Sequence, residues 1–481
     1  MAKGSWTKAQ EARISVQQAL DASGSARGQI GPDGREWNRQ ARIGTMPNRL
    51  LVTEPTLVCR AVNNAGAAQY TPVVVGTSEI TVDAEEVDIG SSLPTAKLVV
   101  GASDTGSNEF RYDSLAAAIQ LGPDDVWIVT IKCPDDYSSA YVQLRTSHLS
   151  APSGVNYRDA TFAPGSLKPG WNVLIVKNDE ILIGGADYGM VGTTTASTVV
   201  RAESGDTKWH SPILSVRVRV YLAAGQTFHF GGVYTAPAGW CKAAVIWGAD
   251  DVPASFIQHA IPLIEAAGWR CTLNAVARYA ADRSYSSYAS LADLRAMAGR
   301  GHEVCGHTLS HADMTAGTLT DKRRELREAA KFWSAAGIPS AARAMAWPFL
   351  NYDQTAVSEA AAAGYRFCRG GAGVFGQSWR PAIGALSYPS TSMEYTNRWY
   401  SDAHIEGGIL RGQAVVAYMH DTVPGGVGIH TRPGATQHYL DHLREWIALV
   451  KRHEAAGRVV CCTQSEYFRL CGVDPLVDDF A

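Results

Sequence analysis

Between Leu50 and Phe230 the apolar positions gather in short runs separated by Gly/Ser/Pro/Asn clusters. The runs Leu57-Val-Cys, Thr71-Pro-Val-Val-Val, Lys97-Leu-Val-Val, Val126-Trp-Ile-Val-Thr-Ile and Val173-Leu-Ile-Val are β-rich. The stretch from Ile213 to Leu222 alternates apolar and polar residues from Leu214 to Val220, the period of a strand with one buried face. Short strands between turn signals predict an all-β, sandwich-like region over residues 50–235. After Trp240 the pattern changes. Apolar strands at Ala243–Trp247, Cys271–Val276, around Val304, Ala344–Trp347, Ala414–Met419 and Val459–Cys462 alternate with helical patterns. Those helices are expected over Ala254–Ala267, after a Ser290/Asp293 cap, over Asp321–Ala336, Ala356–Ala363 and Thr436–Ala456. Strand–helix alternation predicts βα units and a mostly parallel sheet, open or closed into a barrel, over residues 236–481. Ahead of both, Ser5–Gly24 reads as a helix that Thr7 can cap with Gln10, and Gly28–Asn48 as a polar arm. Residues 1–49 are thus a candidate docking segment.

Charged residues are 19% of the chain, below the ~25% of an average soluble domain, while glycines number 46, which fits loop-rich β structure or a large α/β enzyme. A net charge of −3 leaves neither a nucleic-acid footprint nor an acidic tail. No apolar window is long enough to span a membrane, and Met1-Ala-Lys-Gly-Ser-Trp lacks the apolar stretch of a signal peptide, so synthesis in a reducing cytoplasm is expected. The nine cysteines are odd in number and form no C-x-x-C pair; they read as reduced, buried small hydrophobes.

In α/β folds reactive residues gather at the carboxyl ends of strands. The first strand of the second half ends in Asp250-Asp251, a pair that alone would read as a turn or helix cap. The strand near Val304 ends in Gly306-His307-Thr-Leu-Ser-His311, histidines that face one side if the backbone there is helical. A third strand ends in His420-Asp421. One Asp and two His make a three-ligand metal site with a position open for water, leaving a second Asp as base and a further His as acid.

On these residues the C-terminal half resembles the polysaccharide deacetylase family, metal-dependent enzymes that remove N-acetyl groups from chitin, peptidoglycan and related glycans. The family's paired aspartates match Asp250-Asp251, and its His-Ser/Thr-x-x-His matches His307-Thr-Leu-Ser-His311. Its aromatic-Pro-aromatic segment is similar to Trp347-Pro348-Phe349, and its final Leu-x-His to Tyr418-Met419-His420. Gly364-Tyr-Arg-Phe-Cys-Arg369 is similar to the family as well. The resemblance implies a distorted (β/α) barrel in which Asp251, His307 and His311 bind a divalent metal, most often zinc. Asp250 would be the base and His420 the acid that protonates the leaving amine. Trp347, Pro348, Phe349 and Tyr418 would line the substrate pocket, with a backbone N–H near Phe349 on the oxyanion. The sequence departs from the family at Val252 and Leu350, where many members have Gly, and at Ala346, where many have an arginine that steadies the catalytic Asp. Arg369 is the candidate to replace that arginine.

Trp127, Trp171, Trp209, Tyr112, Tyr137, Tyr141 and Tyr157 of the β-rich half would stack on sugars if exposed and are core if not. Glycans bearing acetyl groups lie outside cells, and a phage tail spike, made in the host cytoplasm and released by lysis, reconciles that with the N-terminus. The expected partners are then a bacterial surface polysaccharide and other tail or baseplate proteins, with a homo-oligomer, possibly a trimer, in the virion. The alternatives are an inactive glycan-binding structural protein, an O-acetyl esterase, or a cytoplasmic deacetylase of a small sugar or non-sugar amide.

Overall fold

A computed structural model describes residues 49–471 apart from 63–66, 89–92, 135–139, 151–155, 163–166, 168–169, 179–198, 205–206, 209, 371–389, 394–404 and 421–438. The expected N-terminal helix and arm, together with Tyr137, Trp209 and Asp421, lie outside the described residues.

Two antiparallel sheets form first. One contains β1 (Thr56–Arg60), β3 (Glu79–Val87), β4 (Pro94–Val99), β6 (Val126–Cys133), β9 (Gly170–Lys177) and β12 (Thr227–Ala236), in the order β3-β4-β12-β6-β9 with β1 also on β12. The other contains β2 (Thr71–Val73), β5 (Ser107–Tyr112), β7 (Tyr141–Ser147), β8 (Tyr157–Phe162), β10 (Val199–Ser204) and β11 (Ser215–Tyr221), in the order β10-β8-β7-β11-β5-β2. Side chains alternate across a strand, so Val216, Val218 and Val220 of β11 meet Leu98, Val129, Ile131, Phe228 and Phe230 of the first sheet in one core. Phe110 stacks on Phe230 at 4.7 Å across the gap. Trp127, Trp171 and Tyr112 are buried. Tyr141 and Tyr157 are half-buried on strands of the second sheet, where Tyr141 stacks on Tyr221 and the Arg145 guanidinium lies 3.7 Å from the Tyr157 ring.

The third sheet is parallel throughout. It contains β13 (Ala243–Asp250), β14 (Cys271–Ala275), β15 (Glu303–Gly306), β16 (Ala344–Ala346), β17 (Phe367–Arg369), β18 (Thr391–Ser392), β19 (Ala414–Met419) and β20 (Val459–Cys461). The order is β17-β16-β15-β14-β13-β19-β18, with β20 also on β13. Between the strands run α1 (Ile261–Ala266), α2 (Ala277–Ala281), α3 (Leu291–Gly299), α4 (Leu319–Ala335), α5 (Gln354–Ala363), α6 (Tyr439–Ala455) and α7 (Gln464–Leu470). Ser290 and Asp293 form the expected capping box of α3, and Thr318 with Asp321 forms another that starts α4 two residues before the sequence estimate. No helix among the described residues is long and apolar enough to cross a membrane.

The outward residues Val245, Trp247 and Leu273 pack under the helices with Phe256, Ile264 and Trp446. The inward residues Ala244, Ile246, Cys305, Ala344, Phe367 and Val416 make a second core with Val126, Ile128, Val173, Ile175 and Tyr234 of the first antiparallel sheet. That sheet therefore has two apolar faces: β6 sends Trp127, Val129 and Ile131 into the sandwich and Val126 and Ile128 against the parallel sheet. Six residues connect β12 to β13, and Lys242 N donates to Leu50 O at 2.7 Å beside them. All nine cysteines are free; only Cys461 is more than marginally exposed.

Candidate active site

Asp250 is the last residue of β13, buried, and held at both oxygens. Asn274, its register partner on β14, donates from Nδ2 to Asp250 Oδ1 at 2.9 Å. Arg369 donates from Nη2 to Oδ2. Arg369 ends β17, one edge of the sheet, and its Nη1 donates to Ser390 Oγ at 2.8 Å, beside the other edge strand β18. Ser390 Oγ in turn donates to Gly370 O at 2.7 Å. Among the described residues β17 and β18 share no ladder, so this serine–arginine seam joins the two edges and curls the sheet toward a barrel. Burial alone would raise the Asp250 pKa, but the charge and hydrogen bond of the Arg369 guanidinium outweigh it and hold the carboxyl below its ordinary value.

Asp251, His307 and His311 converge just above. Asp251 Oδ1 lies 3.3 Å from His311 Nε2 and 3.8 Å from His307 Nε2. The spacing of the histidines invited a helical reading, but the backbone from 307 to 311 is a turn, with Thr308 and His311 at φ +62° and +64°. Other elements hold it in place. Ala277 N and Arg278 N at the start of α2 donate to Thr308 O and Leu309 O, at 3.2 and 2.9 Å. From the other side the buried Glu325 of α4 accepts from Ser310 N and Ser310 Oγ, at 2.8 and 2.7 Å. Ahead of the turn, a side chain at Gly306 would place its Cβ 2.7 Å from Ala341 O, so only glycine fits there.

The donor set suits a divalent ion. Ligand atoms roughly 2.0–2.2 Å from a tetrahedral ion stand about 3.3–3.6 Å apart, and the three ligand atoms here all lie within 4.8 Å of one another. His307 Nδ1 donates to Ala346 O at 2.8 Å, which leaves Nε2 bare and aimed at Asp251. Burial pushes the His307 pKa down to about 3, so the ring stays neutral and able to ligate. Backbone strain is concentrated here: Asp251, Val252, Thr308, His311, Phe349 and Leu350 all adopt positive φ.

The other residues singled out in the sequence divide. The register of β19 on β13 reaches Met419↔Ala249, which brings His420 level with Asp250. Tyr418 faces the same interior, its ring 4.4 Å from the Arg369 guanidinium and 5.9 Å from the His420 ring. Trp347 is fully buried with Met314, Leu326 and Tyr365, and Pro348 is buried too. Of that segment only Phe349, 59% exposed and 4.5 Å from the His311 ring, offers its side chain to a substrate. Asn274 and Ser390 were missed. The one signal for Asn274 was its parity on β14, inward with Thr272 while Cys271 and Leu273 face the helices.

Residues 242–368 match the sequence model of the polysaccharide deacetylase family. The matched segment includes Asp250, Asp251, His307, His311 and Trp347–Phe349, while Arg369 and His420 lie beyond it. No curated protein matches the chain. Among solved structures the chain is similar to the Xyl-CE4 domain of a multidomain xylanase from the hindgut metagenome of Trinervitermes trinervoides. That match has 15% identity, 49% of this chain and 93% of that one, and a TM-score of 0.33. It is similar also to a family 4 carbohydrate esterase from Streptomyces lividans in complex with acetate (17%, 45% and 91%, 0.31). A third is a family 4 acetyl xylan esterase from Clostridium thermocellum in complex with a cobalt ion (18%, 48% and 92%, 0.31).

The departures from the deacetylase pattern have a structural meaning. Val252 and Leu350, where many deacetylases carry glycine, are both left-handed, with φ +51° and +61°. Ala346, where many carry arginine, is the register partner of Arg369 on the adjacent strand. An arginine at the same height, one strand over, reaches the aspartate.

Proposed function

We propose that the C-terminal half is a metal-dependent hydrolase that removes N-acetyl, or O-acetyl, groups from a bacterial surface polysaccharide. The observation that carries this reading is the placement of an Asp–His–His triad beside a second aspartate held by Arg369 and Asn274, with His420 level on the neighbouring strand. A divalent ion, zinc first, held by Asp251, His307 and His311 would supply Lewis acidity for the acetyl carbonyl and for water. Asp250 takes the proton of the attacking water; ionised and fixed at both oxygens, it needs no reorientation to do so. His420 gives a proton to the departing amine. Tyr418 would bound the pocket for the acetyl methyl, and a backbone N–H near Phe349 would donate to the oxyanion. Arg369 positions Asp250 rather than touching substrate.

Purified protein loaded with zinc and incubated with acetylated surface polysaccharides should release acetate, and treatment with a chelator should stop it. Binding without release from any acetylated polymer would favour the inactive glycan-binding reading, against which the retained Asp250 and His420 stand.

We further propose that the protein is an oligomeric phage tail spike, a reading that rests on a polar stretch in the sequence over residues 28–48 ahead of the antiparallel sheets and the proposed hydrolase. Antibody to this chain should label particles in negative-stain images, and label confined to free protein would refute the placement.

A further inference from the structure

The second antiparallel sheet buries Phe110, Val142, Leu144, Ala160, Val216 and Val218 in the sandwich, so the alternate residues of the same strands share its other face. At the centre of that face three arginines stand abreast. Arg217 of β11 has Arg145 of β7 as its register partner on one side and Arg111 of β5 on the other. Like charges directly opposite one another destabilise a sheet, and such local conflicts gather at functional positions.

The carboxylates of the face do not cancel the row. Asp159 accepts from Arg145 at both oxygens, each at 2.7 Å. Glu109 is shared: Arg219 donates to it at 2.9 Å, and Arg217 and Arg111 reach it at 3.7 and 3.9 Å. Asp113, at the exposed rim, serves the same two arginines at 3.5 and 3.3 Å. Among the described residues of this face, four guanidiniums thus share three carboxylates. Burial, together with the charges of Arg111 and Arg145, pushes the Arg217 pKa below its ordinary value, a cost that one more anion beside it would offset.

We infer that the row of Arg111, Arg217 and Arg145 binds the carboxylate or phosphate groups of an acidic polysaccharide, at a second glycan contact separate from the metal site. A guanidinium is planar and meets either anion with two parallel N–H donors. A glycan is favoured over a protein because the four central strands place on this face only Arg, Glu, Asp, Gln, Ser, Thr and Tyr, with no aliphatic side chain to seed a dry interface. It is favoured over nucleic acid because the chain as a whole carries a net charge of −3. The inference rests on the surface-polysaccharide reading for the choice of polymer, while the arrangement of charge stands apart from the hydrolase.

Alginate oligosaccharides supply carboxylates, poly(glycerol phosphate) supplies phosphates and dextran supplies neither; each is titrated calorimetrically into metal-free full-length protein. One or both acidic polymers should bind and dextran should not, and added salt should weaken the binding. Arg217→Gln and Arg111→Gln should each weaken it about tenfold. Arg111 is half-buried, so its variant keeps the test open if Arg217→Gln fails to fold. Asp113→Asn removes a carboxylate that competes with the polymer and should tighten binding about two- to fivefold, a gain that misfolding cannot mimic. Binding absent for both acidic polymers, equal for dextran, or unchanged in both arginine variants would overturn the inference, as would weaker binding by Asp113→Asn. The zinc-loaded arginine variants should hydrolyse 4-nitrophenyl acetate at the wild-type rate. Lack of binding with ester hydrolysis intact refutes the arginine row alone, whereas binding without hydrolysis refutes the hydrolase reading instead.

Discussion

Arg369 donates to Asp250 from the edge strand of the parallel sheet, with three strands between them in the sheet order. Only the curl of the sheet makes that contact, and Ser390 fixes the other arm of the guanidinium. Against the burial that would raise it, the arginine holds the Asp250 carboxyl below its ordinary value. The sign of its loss follows: without the cation Asp250 protonates earlier as pH falls. Arg369→Met should therefore move the acid limb of the kcat/KM profile to higher pH. Arg369→Lys should fall between, because a point charge cannot bridge Asp250 and Ser390 as the planar fork does. A lowered rate with an unmoved limb would show that Arg369 serves packing alone.

The adjacent aspartates should fail differently. Asp251→Asn removes an anionic ligand, so both metal affinity and turnover should drop. Asp250→Asn preserves shape but cannot take a proton, so bound metal should stay while turnover falls by ~10²-fold or more. Metal analysis of the two purified variants separates these outcomes, and metal loss in Asp250→Asn alone would reverse the assignment.

His420→Ala should spare the metal and slow amide substrates most, since an amine leaves poorly without a proton. An activated acetyl ester, whose leaving group departs unaided, should suffer less. Equal losses on the two substrates would remove His420 from the role of acid.

Leu350 is half-buried at φ +61°, a conformation that costs a side-chain-bearing residue ~1–2 kcal/mol and glycine almost nothing. Leu350→Gly should accordingly be more stable than Leu350→Ala by about 1 kcal/mol in urea unfolding, the reverse of the order in ordinary backbone. Alanine as stable as glycine would contradict the left-handed backbone.

Ile128 lies in the core shared by the first antiparallel sheet and the interior of the parallel sheet. Ile128→Ala should cost about 2–5 kcal/mol. It should lower the melting of both halves together, followed by circular dichroism and by loss of metal binding. Two transitions with only the earlier one displaced would mean that the halves fold independently.

The parallel half was legible because its strands are buried on both faces and read as unbroken apolar runs, such as Ala243–Trp247 and Ala414–Met419. The antiparallel half was legible only in part. β5, Ser-Asn-Glu-Phe-Arg-Tyr, and β7, Tyr-Val-Gln-Leu-Arg-Thr-Ser, carry no strand signal in the sequence, because each holds only two or three apolar residues among polar ones, too few to establish a period. Their long polar side chains are paired across the second sheet, Arg219 with Glu109 and Gln143 and Arg145 with Asp159.

By itself the sequence determined the candidate reactive residues of this protein, Asp250, Asp251, His307, His311 and His420 at strand ends, since metal ligation and proton transfer draw on those residue types. Tertiary structure decided which of the remaining residues serve them. Asn274 reaches Asp250 because β14 lies next to β13, and Arg369 and Ser390 because the curled sheet brings its two edges together. Trp347 went to the core and Phe349 to the rim. Chemistry at a strand end is written in residue identity, whereas partners across a sheet depend on strand order and curvature, which the order of residues along the chain does not state.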